Sequence, residues 1–591
     1  MSSKKSSEIC EVKLNGAEVS APVIVLKFGS SVVRSEQDLP KAVHEIYRWV
    51  RQGYRVVSVI SAIGSATNQL IAQAESYGER LNEHAVAALV STGEAQAAAL
   101  LGLALDRSGI PATIVDDARL GLLARGPVLD AEPVTLDAAV LSRSLQNFPV
   151  VVAPGFVGRH ENGGICLLGR GGSDLTAVLI SHSLRARCRL IKDVDGVFEA
   201  DPLRRGSVRR YRELNYNEAL KVAGRVVQRK AIQYAQEHSC AIEVASLDSH
   251  SPTEICALPS RFYHDDQPNR ALRVGLLGAG TVGLGVYHRL ALREDLFEIT
   301  GVAVRRLKRD DDIARHLLTQ DPWEVVRGEC EVVVELIGGL EPARELIEGA
   351  LRLSKHVITA NKLVISKHGP ELHEIAKANG VSLQYSAAVG GAVPMLETVA
   401  RVAQSERLTS IHGVVNGTTN FVLDRIAAGS APEEALKEAQ RLGFAEQDPS
   451  SDLDGRDAAH KLVLLAREAF GAWIRPEQVE CTGITELEPA YIRDSARSGR
   501  VVRLVGKIFR QGDAVRAVVA PEAVDASSPL AGTRNEENCL VIHGAQGAID
   551  QVRGKGAGRW PTAESVVADV FDLCRAERAS AELQVSAARL M

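Results

Sequence analysis

Acids and a lysine crowd one short stretch of this 591-residue chain: Glu446, Asp448, Asp452, Asp454 and Asp457, then Lys461. Asp457 and Lys461 are spaced i, i+4, so on a helix they share a face. Taken alone they read as an ordinary surface pair. Glu446 and Asp452 in the preceding loop change that reading, because several acids delivered to one helix start form a pocket suited to an ammonium-bearing substrate. A lysine among them can exchange a proton with a reacting alcohol or carbonyl.

A second constellation is Gly278-Ala279-Gly280-Thr281-Val282-Gly283, which follows the apolar run Arg273 to Leu277 and opens the amphipathic segment Leu284 to Leu290. Glycines so placed permit a tight turn, close approach of a pyrophosphate and close helix packing, which is the chemistry of a dinucleotide site. About 20 residues on, where an NAD site carries a carboxylate for the ribose, Val302-Ala303-Val304 ends in Arg305-Arg306. That sign favours a 2′-phosphate and hence NADP(H), with NAD as the alternative. A solvated basic strand end is the competing reading, since Lys308 and Arg309 continue the charge. A third constellation sits near the N-terminus, where Lys27 ends the run Val23 to Leu26 ahead of Gly29. A lysine at a strand end and glycine amides can hold phosphates during phosphoryl transfer.

The elements that must position these groups alternate in type. Strand-like runs at 55 to 60, 112 to 115, 149 to 153, 188 to 192 and 241 to 246 alternate with helical spacing at 39 to 50, 84 to 106, 174 to 186 and 217 to 237. This is the βαβ pattern of a largely parallel sheet. After Arg273 the alternation resumes with runs at 297 to 304, 331 to 337, 355 to 359 and 381 to 385, then becomes mixed from 411 onward. The polar interval from Asp248 to Arg273 marks the main boundary and has room only for a linker or short helix.

Composition narrows the function classes. Lys and Arg total 69 against 74 Asp and Glu, for a net charge of -5, so no polycationic face for nucleic acid is expected. Fifty glycines and 4% aromatic content suit α/β proteins whose tight loops approach small ligands. Nine scattered cysteines contain no C-x-x-C pair, which argues against a disulfide framework or zinc site. With no apolar leader and no membrane-length apolar stretch, the expectation is a cytoplasmic protein without membrane contact.

From Ala439 to Pro449, and on through Asp452-Leu453-Asp454-Gly455-Arg456-Asp457 to Lys461, the sequence closely resembles the homoserine dehydrogenase signature. The resemblance extends over Arg273 to about Arg578 and includes Glu335 to Gly339, Thr359-Ala360-Asn361-Lys362, Asn416-Gly417-Thr418-Thr419-Asn420 and Gly556-Ala557-Gly558. It implies that Lys461 and Lys362 carry proton transfer, and that Glu446, Asp452 and Asp457, with Gly417 and Thr418, hold homoserine or aspartate semialdehyde. It also implies that Gly278, Gly280, Thr281, Val282, Gly283, Arg305, Gly338 and Asn361 hold the cofactor. A monovalent cation, Na+ or K+, is implied at the carbonyls of Val389, Gly391 and Val393, although Ser386 stands where the family commonly has glutamate.

In the first half, Lys27 to Ser31, Gly169-Arg170-Gly171-Gly172-Ser173-Asp174 and Lys192 to Phe198 resemble the aspartokinase branch of the amino acid kinases. By that resemblance Lys27 stabilises the transferring phosphoryl, Asp174 organises the lysine, and Glu94, Arg170 and Ser61 bind aspartate, while Gly29, Ser30, Asp193 and Phe198 meet ATP with Mg2+. Departures gather at the nucleotide end: Ser30 for glycine, Lys192 for threonine, Leu203 for arginine, Arg225 for lysine and Gln228-Arg229 for His-Pro.

The expected fold class is α/β, an N-terminal amino acid kinase αβα sandwich fused to a Rossmann NAD(P)-binding domain with an α+β substrate and dimerisation domain. The expected limits are a tail at 1–20, kinase at 21–258, linker at 259–271, Rossmann domain at 272–395 completed by about 556–582, and substrate domain at 396–555. The implied function is bifunctional: phosphorylation of L-aspartate and NAD(P)H-linked reduction of aspartate semialdehyde to homoserine. The alternatives are a silent kinase-like scaffold, or a kinase acting on another carboxylate such as glutamate. A homodimer or higher oligomer is implied, and no ACT regulatory domain is expected between the halves.

Overall fold

The computed structural model describes residues 21–201, 208–224, 226–263, 270–306 and 312–590, with side chains as far as 578. The N-terminal tail, Leu203, Arg225, Lys308 and Arg309 lie outside the described residues. Two compact units divide near Pro268.

The first unit is built on a nine-stranded sheet with the apolar strand Val23–Phe28 in its interior. It pairs in parallel with Arg55–Ile60 on one side and Arg187–Ile191 on the other. Strands this buried on both faces need apolar residues throughout, which is why the runs read as continuous rather than alternating. The register sets Lys27 beside Val59 and Leu190, at the carboxyl edge where open α/β sheets take ligands. A separate four-stranded sheet, with strands between Leu123 and Leu167, had no clear signal because its members are three or four residues long.

Three expectations need correction. The helical spacing at 217 to 237 is two helices, Tyr216–Val222 and Arg229–Glu237, broken at the low-propensity Gly224. The interval after Leu247 holds more than a linker: Thr253–Cys256 pairs antiparallel with Ile242–Ala245, and Arg261–Phe262 with Tyr211 and Glu213. Thr253–Cys256 lies inside the sheet, between Tyr211–Asn215 and Ile242–Ala245, and Arg261–Phe262 forms its edge; Thr253 Oγ1 accepts from Val197 N at 2.9 Å and donates to Tyr211 O at 2.6 Å. Finally, helix Glu83–Arg107 is long and apolar enough to pass for a membrane span by length and composition. It packs on strands Ala112–Ile114, Val150–Pro154 and Ile165–Leu167 and carries the buried Glu94, as a core helix of an α/β unit does.

The second unit starts with six parallel strands in the spatial order Leu318–Thr319, Phe297–Ala303, Leu272–Leu277, Val332–Glu335, His356–Thr359, Leu383–Gln384. The first strand in sequence is central, the doubly wound arrangement whose switch point opens a crevice. From it the chain passes into a mostly antiparallel sheet centred on Leu408–Val414, against which helix Arg456–Phe470 packs through its contacts with Arg500–Gln511 and Ala514–Asp525. The long helix Arg559–Leu590 then returns to the first sheet, where Val566, Val570 and Phe571 join Val274, Leu276, Val286 and Leu290 in one core.

Candidate active sites

In the second unit, helix Thr281–Ala291 begins directly after the strand Leu272–Leu277 and its glycine turn. Gly278 has φ 103°, and a Cβ at Gly283 would meet Gly278 O at 2.0 Å, so both positions demand glycine for the turn itself. At Gly280 a Cβ would meet nothing within 4 Å. The space in front of the first helical turn, at Thr281 and Val282, is therefore open to a ligand, and the free N–H groups there favour phosphate. This cradle fits a dinucleotide. Arg305 and Arg306 are exposed just past the neighbouring strand Phe297–Ala303.

Across the crevice the fully buried Glu335 ends its strand and fixes the opposite loop. Its carboxylate accepts from Ile337 N (2.8 Å), Gly338 N (3.1 Å) and Thr359 Oγ1 (2.6 Å). Asn361 caps helix Lys362–Ala378 by accepting from Val364 N, and donates its Nδ2 to Gly339 O at 2.7 Å. The result is a cleft of about 370 Å³ whose walls include Val282, Gly338, Asn361, Lys362, Ser451 and His460.

Lys362 of this cleft wall shares one carboxylate with a second ammonium. Lys461 Nζ lies 2.8 Å from Asp457 Oδ2 and Lys362 Nζ 3.1 Å from Asp457 Oδ1. Burial alone would raise the Asp457 carboxyl, but Lys461 and Lys362 hold it well below the usual carboxylate range. Asp457 in turn raises the Lys362 ammonium, with lesser help from Asp452 and Glu446. Lys461 also donates to Val415 O at 2.6 Å, which aims it off its helix. Asn416 joins the acids, donating Nδ2 to Asp452 Oδ1 (2.7 Å) and Asp457 Oδ2 (2.9 Å). Thr418 Oγ1 donates to Phe444 O at 2.6 Å and lies 3.2 Å from Asp452 Oδ2, so helix Gly417–Ala427, begun by Gly417, is bound to the acidic loop. Burial, then the Asp457 charge, raises the Asp452 carboxyl. Glu446 stands exposed at the rim.

Sequence reasoning assigned no role to Asn416, Glu335 or His460. The first two lie inside quoted motifs, whereas His460 carried no signal beyond adjacency to Lys461. The loop with Val389, Gly391 and Val393 is buried, and Val393 O accepts from Met395 N at 2.7 Å with one lone pair remaining. Ser386 brings no charge, yet its N–H donates to the buried Asp569 carboxylate at 3.1 Å. That acid comes from the last helix and had no sequence signal at all. Backbone carbonyls of one buried loop are a donor set that fits a monovalent cation.

In the first unit, Lys27 Nζ and Lys192 Nζ each lie 2.8 Å from Asp174, on Oδ1 and Oδ2 respectively. Gln228 N donates to Oδ2 at 3.2 Å, a contact created by the break between the two helices. Burial would raise Asp174, but the two lysines take it down to about 2. Lys192 itself is lowered, by burial first and then by Lys27 against the pull of Asp174. Gly29 O closes the turn over Lys27 by accepting from Val32 N and Val33 N, leaving Ser30 exposed. Ser61 Oγ donates to Ser173 Oγ at 3.0 Å beside Asp174.

Glu94 is 2% exposed and its Oε2 has no hydrogen-bond partner; burial pushes its carboxyl up to about 8 against the Ala62 N–H and Lys27. A buried carboxyl with a spare oxygen is chemistry suited to a ligand ammonium. Arg170 and Asp193 are exposed, and Phe198 is half-buried in a bridge to Arg210. No cluster of three metal-ligating side chains exists among the described residues, so Mg2+ fits here only as a partner of nucleotide phosphates.

Comparisons with known proteins follow the same division. The amino acid kinase family matches residues 22–246, the NAD binding domain of homoserine dehydrogenase 278–386, and homoserine dehydrogenase 394–571. The homoserine dehydrogenase of Bacillus subtilis is 39% identical over 313 residues, covering 51% of this chain and 72% of that protein. That of Corynebacterium glutamicum is 35% identical, covering 52% and 73%. A crystal structure of a homoserine dehydrogenase from Thiobacillus denitrificans is 37% identical, with TM-score 0.51 over 53% of this chain and 75% of that one. The chain belongs to the homoserine dehydrogenase family, with an amino acid kinase domain fused ahead of it.

Proposed function

We propose that the second unit reduces L-aspartate 4-semialdehyde to L-homoserine with NADPH, and that the first unit phosphorylates L-aspartate with ATP and Mg2+. The observation that carries the dehydrogenase reading is the pair of ammoniums on Asp457, one of them in the wall of a dinucleotide cleft. Lys461 and Lys362 hold and move the proton at the reacting oxygen, and Asp457 holds the two side chains together. Asp452 and Glu446 hold the substrate ammonium, with Thr418 and Asn416 orienting Asp452. Bound NADPH supplies the hydride, and Arg305 takes its 2′-phosphate. The carbonyls of Val389, Gly391 and Val393 hold Na+ or K+, with Asp569 supplying the charge that Ser386 lacks. The enzyme works as a homo-oligomer.

In the first unit Lys27 stabilises the transferring phosphoryl and Asp174 orients Lys27. Glu94 and Arg170 take the ammonium and carboxylate of aspartate, and Ser61 lies beside them. Gly29, Ser30, Asp193 and Phe198 meet the nucleotide. One observation favours a second reading, a kinase-like scaffold without activity: Lys192 occupies the other oxygen of Asp174 where threonine is usual. Aspartate-dependent ADP release and homoserine-dependent NADPH formation, measured on the full chain, test both halves. Absence of ADP release with every amino acid leaves the scaffold reading, and absence of NADPH formation defeats the dehydrogenase.

A further inference from the structure

One neutral side chain stands between the two acids that the dehydrogenase site uses for different purposes. Asp452 comes from the short helix Ser450–Leu453 in the acidic loop, and Asp457 from the first turn of helix Arg456–Phe470. Asn416, buried at the start of helix Gly417–Ala427, donates one Nδ2 proton to Asp452 Oδ1 at 2.7 Å and the other to Asp457 Oδ2 at 2.9 Å. Among the described residues it is the one side chain bonded to both acids: Thr418 reaches Asp452, and the two lysines reach Asp457.

The amide is held one way round. Its Oδ1 accepts from Thr419 N at 2.9 Å, the bond that caps the helix. Turned over, it would set an oxygen against two carboxylates and leave the Thr419 N–H facing an NH2 group. One acceptor bond and both donor bonds are made, so the amide ties the helix start and the two acids into one unit.

Two carboxylates this close repel. Burial, then the Asp457 charge, pushes the Asp452 carboxyl up, and Asn416, Lys461 and Thr418 oppose them. The other charged groups around Asp452 are Lys362 on helix Lys362–Ala378, which both acids attract, and Glu446 in the loop. An uncharged side chain with two donors lets both acids stay ionised at this spacing. A third carboxylate in its place would drive one of the three to keep a proton.

We propose that Asn416 is a positioning residue for the dehydrogenase, a clamp that keeps Asp452 ionised for the substrate ammonium at a fixed distance from Asp457 and its lysines, a role that rests on the dehydrogenase reading. A protonated Asp452 offers the ammonium no counter-charge. Loss of the clamp therefore weakens homoserine capture first on the acid side, and the acid limb of kcat/KM moves to higher pH. Asp457 gives up one bond and keeps both lysines, so most of the loss falls on KM and less on kcat.

The test uses the full chain with Asn416→Asp and Asn416→Ser, both of which keep a side chain that caps the helix. In homoserine oxidation at neutral pH, Asn416→Asp should lose kcat/KM on the order of 10²-fold, mainly through KM, and Asn416→Ser on the order of 10-fold. The acid limb of kcat/KM should move up by about one pH unit or more in Asn416→Asp and less in Asn416→Ser. NADPH affinity by fluorescence titration should stay at the wild-type value in both. Wild-type kcat/KM in Asn416→Asp would overturn the clamp, as would a loss that leaves the acid limb where the wild type has it, since a cap alone would act so. If the aspartate variant does not fold, the limb of the serine variant decides by the same rule. A wild-type chain inert toward homoserine at every pH would overturn the dehydrogenase reading itself and the clamp with it.

Discussion

Asp457 and Asp174 solve the same problem in two unrelated sites. Each is a buried carboxylate shared by two lysines, so each keeps its charge despite burial and holds two lysine side chains together. Replacing Lys461 with alanine should lower homoserine oxidation by on the order of 10² to 10⁴, with NADPH binding retained because the glycine cradle is untouched. Unchanged turnover would remove Lys461 from the chemistry. Glu94 is the opposite case, a buried carboxyl whose burial outweighs the pull of Lys27. Folded, it keeps its proton up to about 8, whereas an ordinary glutamate loses it near 4.5, so the folded state binds the extra proton across that window. Stability of the ligand-free first unit should therefore fall as pH rises between those values and level off above them. Glu94→Gln should flatten that slope in thermal melts of the full chain; a slope that persists would assign it to other groups.

At the scale of elements, the strand end and the returning helix matter most. The strand Phe297–Ala303, which pairs with Leu272–Leu277, is followed by the exposed Arg305 and Arg306. Arg305→Ala should weaken NADPH far more than NADH, since only NADPH carries the extra phosphate. Equal losses in titration would refute the assignment. The helix Arg559–Leu590 is bound to the six-stranded sheet of the second unit by Phe571, edge-on to Phe297 at 4.7 Å, and by the buried pair of Glu564 with Arg289 on helix Thr281–Ala291. Phe571→Ala should cost about 3–5 kcal/mol in the stability of the second unit, read by chemical denaturation, and should lower NADPH affinity because it loosens the layer beneath the glycine turn. A variant of full stability would mean that the helix adds nothing to that core.

For the whole molecule, the two units have separate cores and separate charged sites. Lys27→Ala should remove aspartate-dependent ADP release and leave homoserine oxidation at the wild-type rate, because the change lies in the first sheet alone. Loss of both activities together would show that the halves depend on one another for folding or catalysis.

The sequence by itself determined what repeats locally. The apolar strand runs, the glycine turn at Gly278 to Gly283 and the shared face of Asp457 and Lys461 follow from spacing, since backbone periodicity fixes which neighbours within a few residues can meet. Only the tertiary structure decided which distant groups complete each site. Lys362 reaches Asp457, Asn416 bridges two acids, Lys192 takes the second oxygen of Asp174, and Asp569 meets the Ser386 amide. Each of these contacts joins different elements, 18 residues apart for Lys192 with Asp174 and farther for the others. Their meeting depends on sheet order, strand register and helix packing, which no local pattern of residue types encodes.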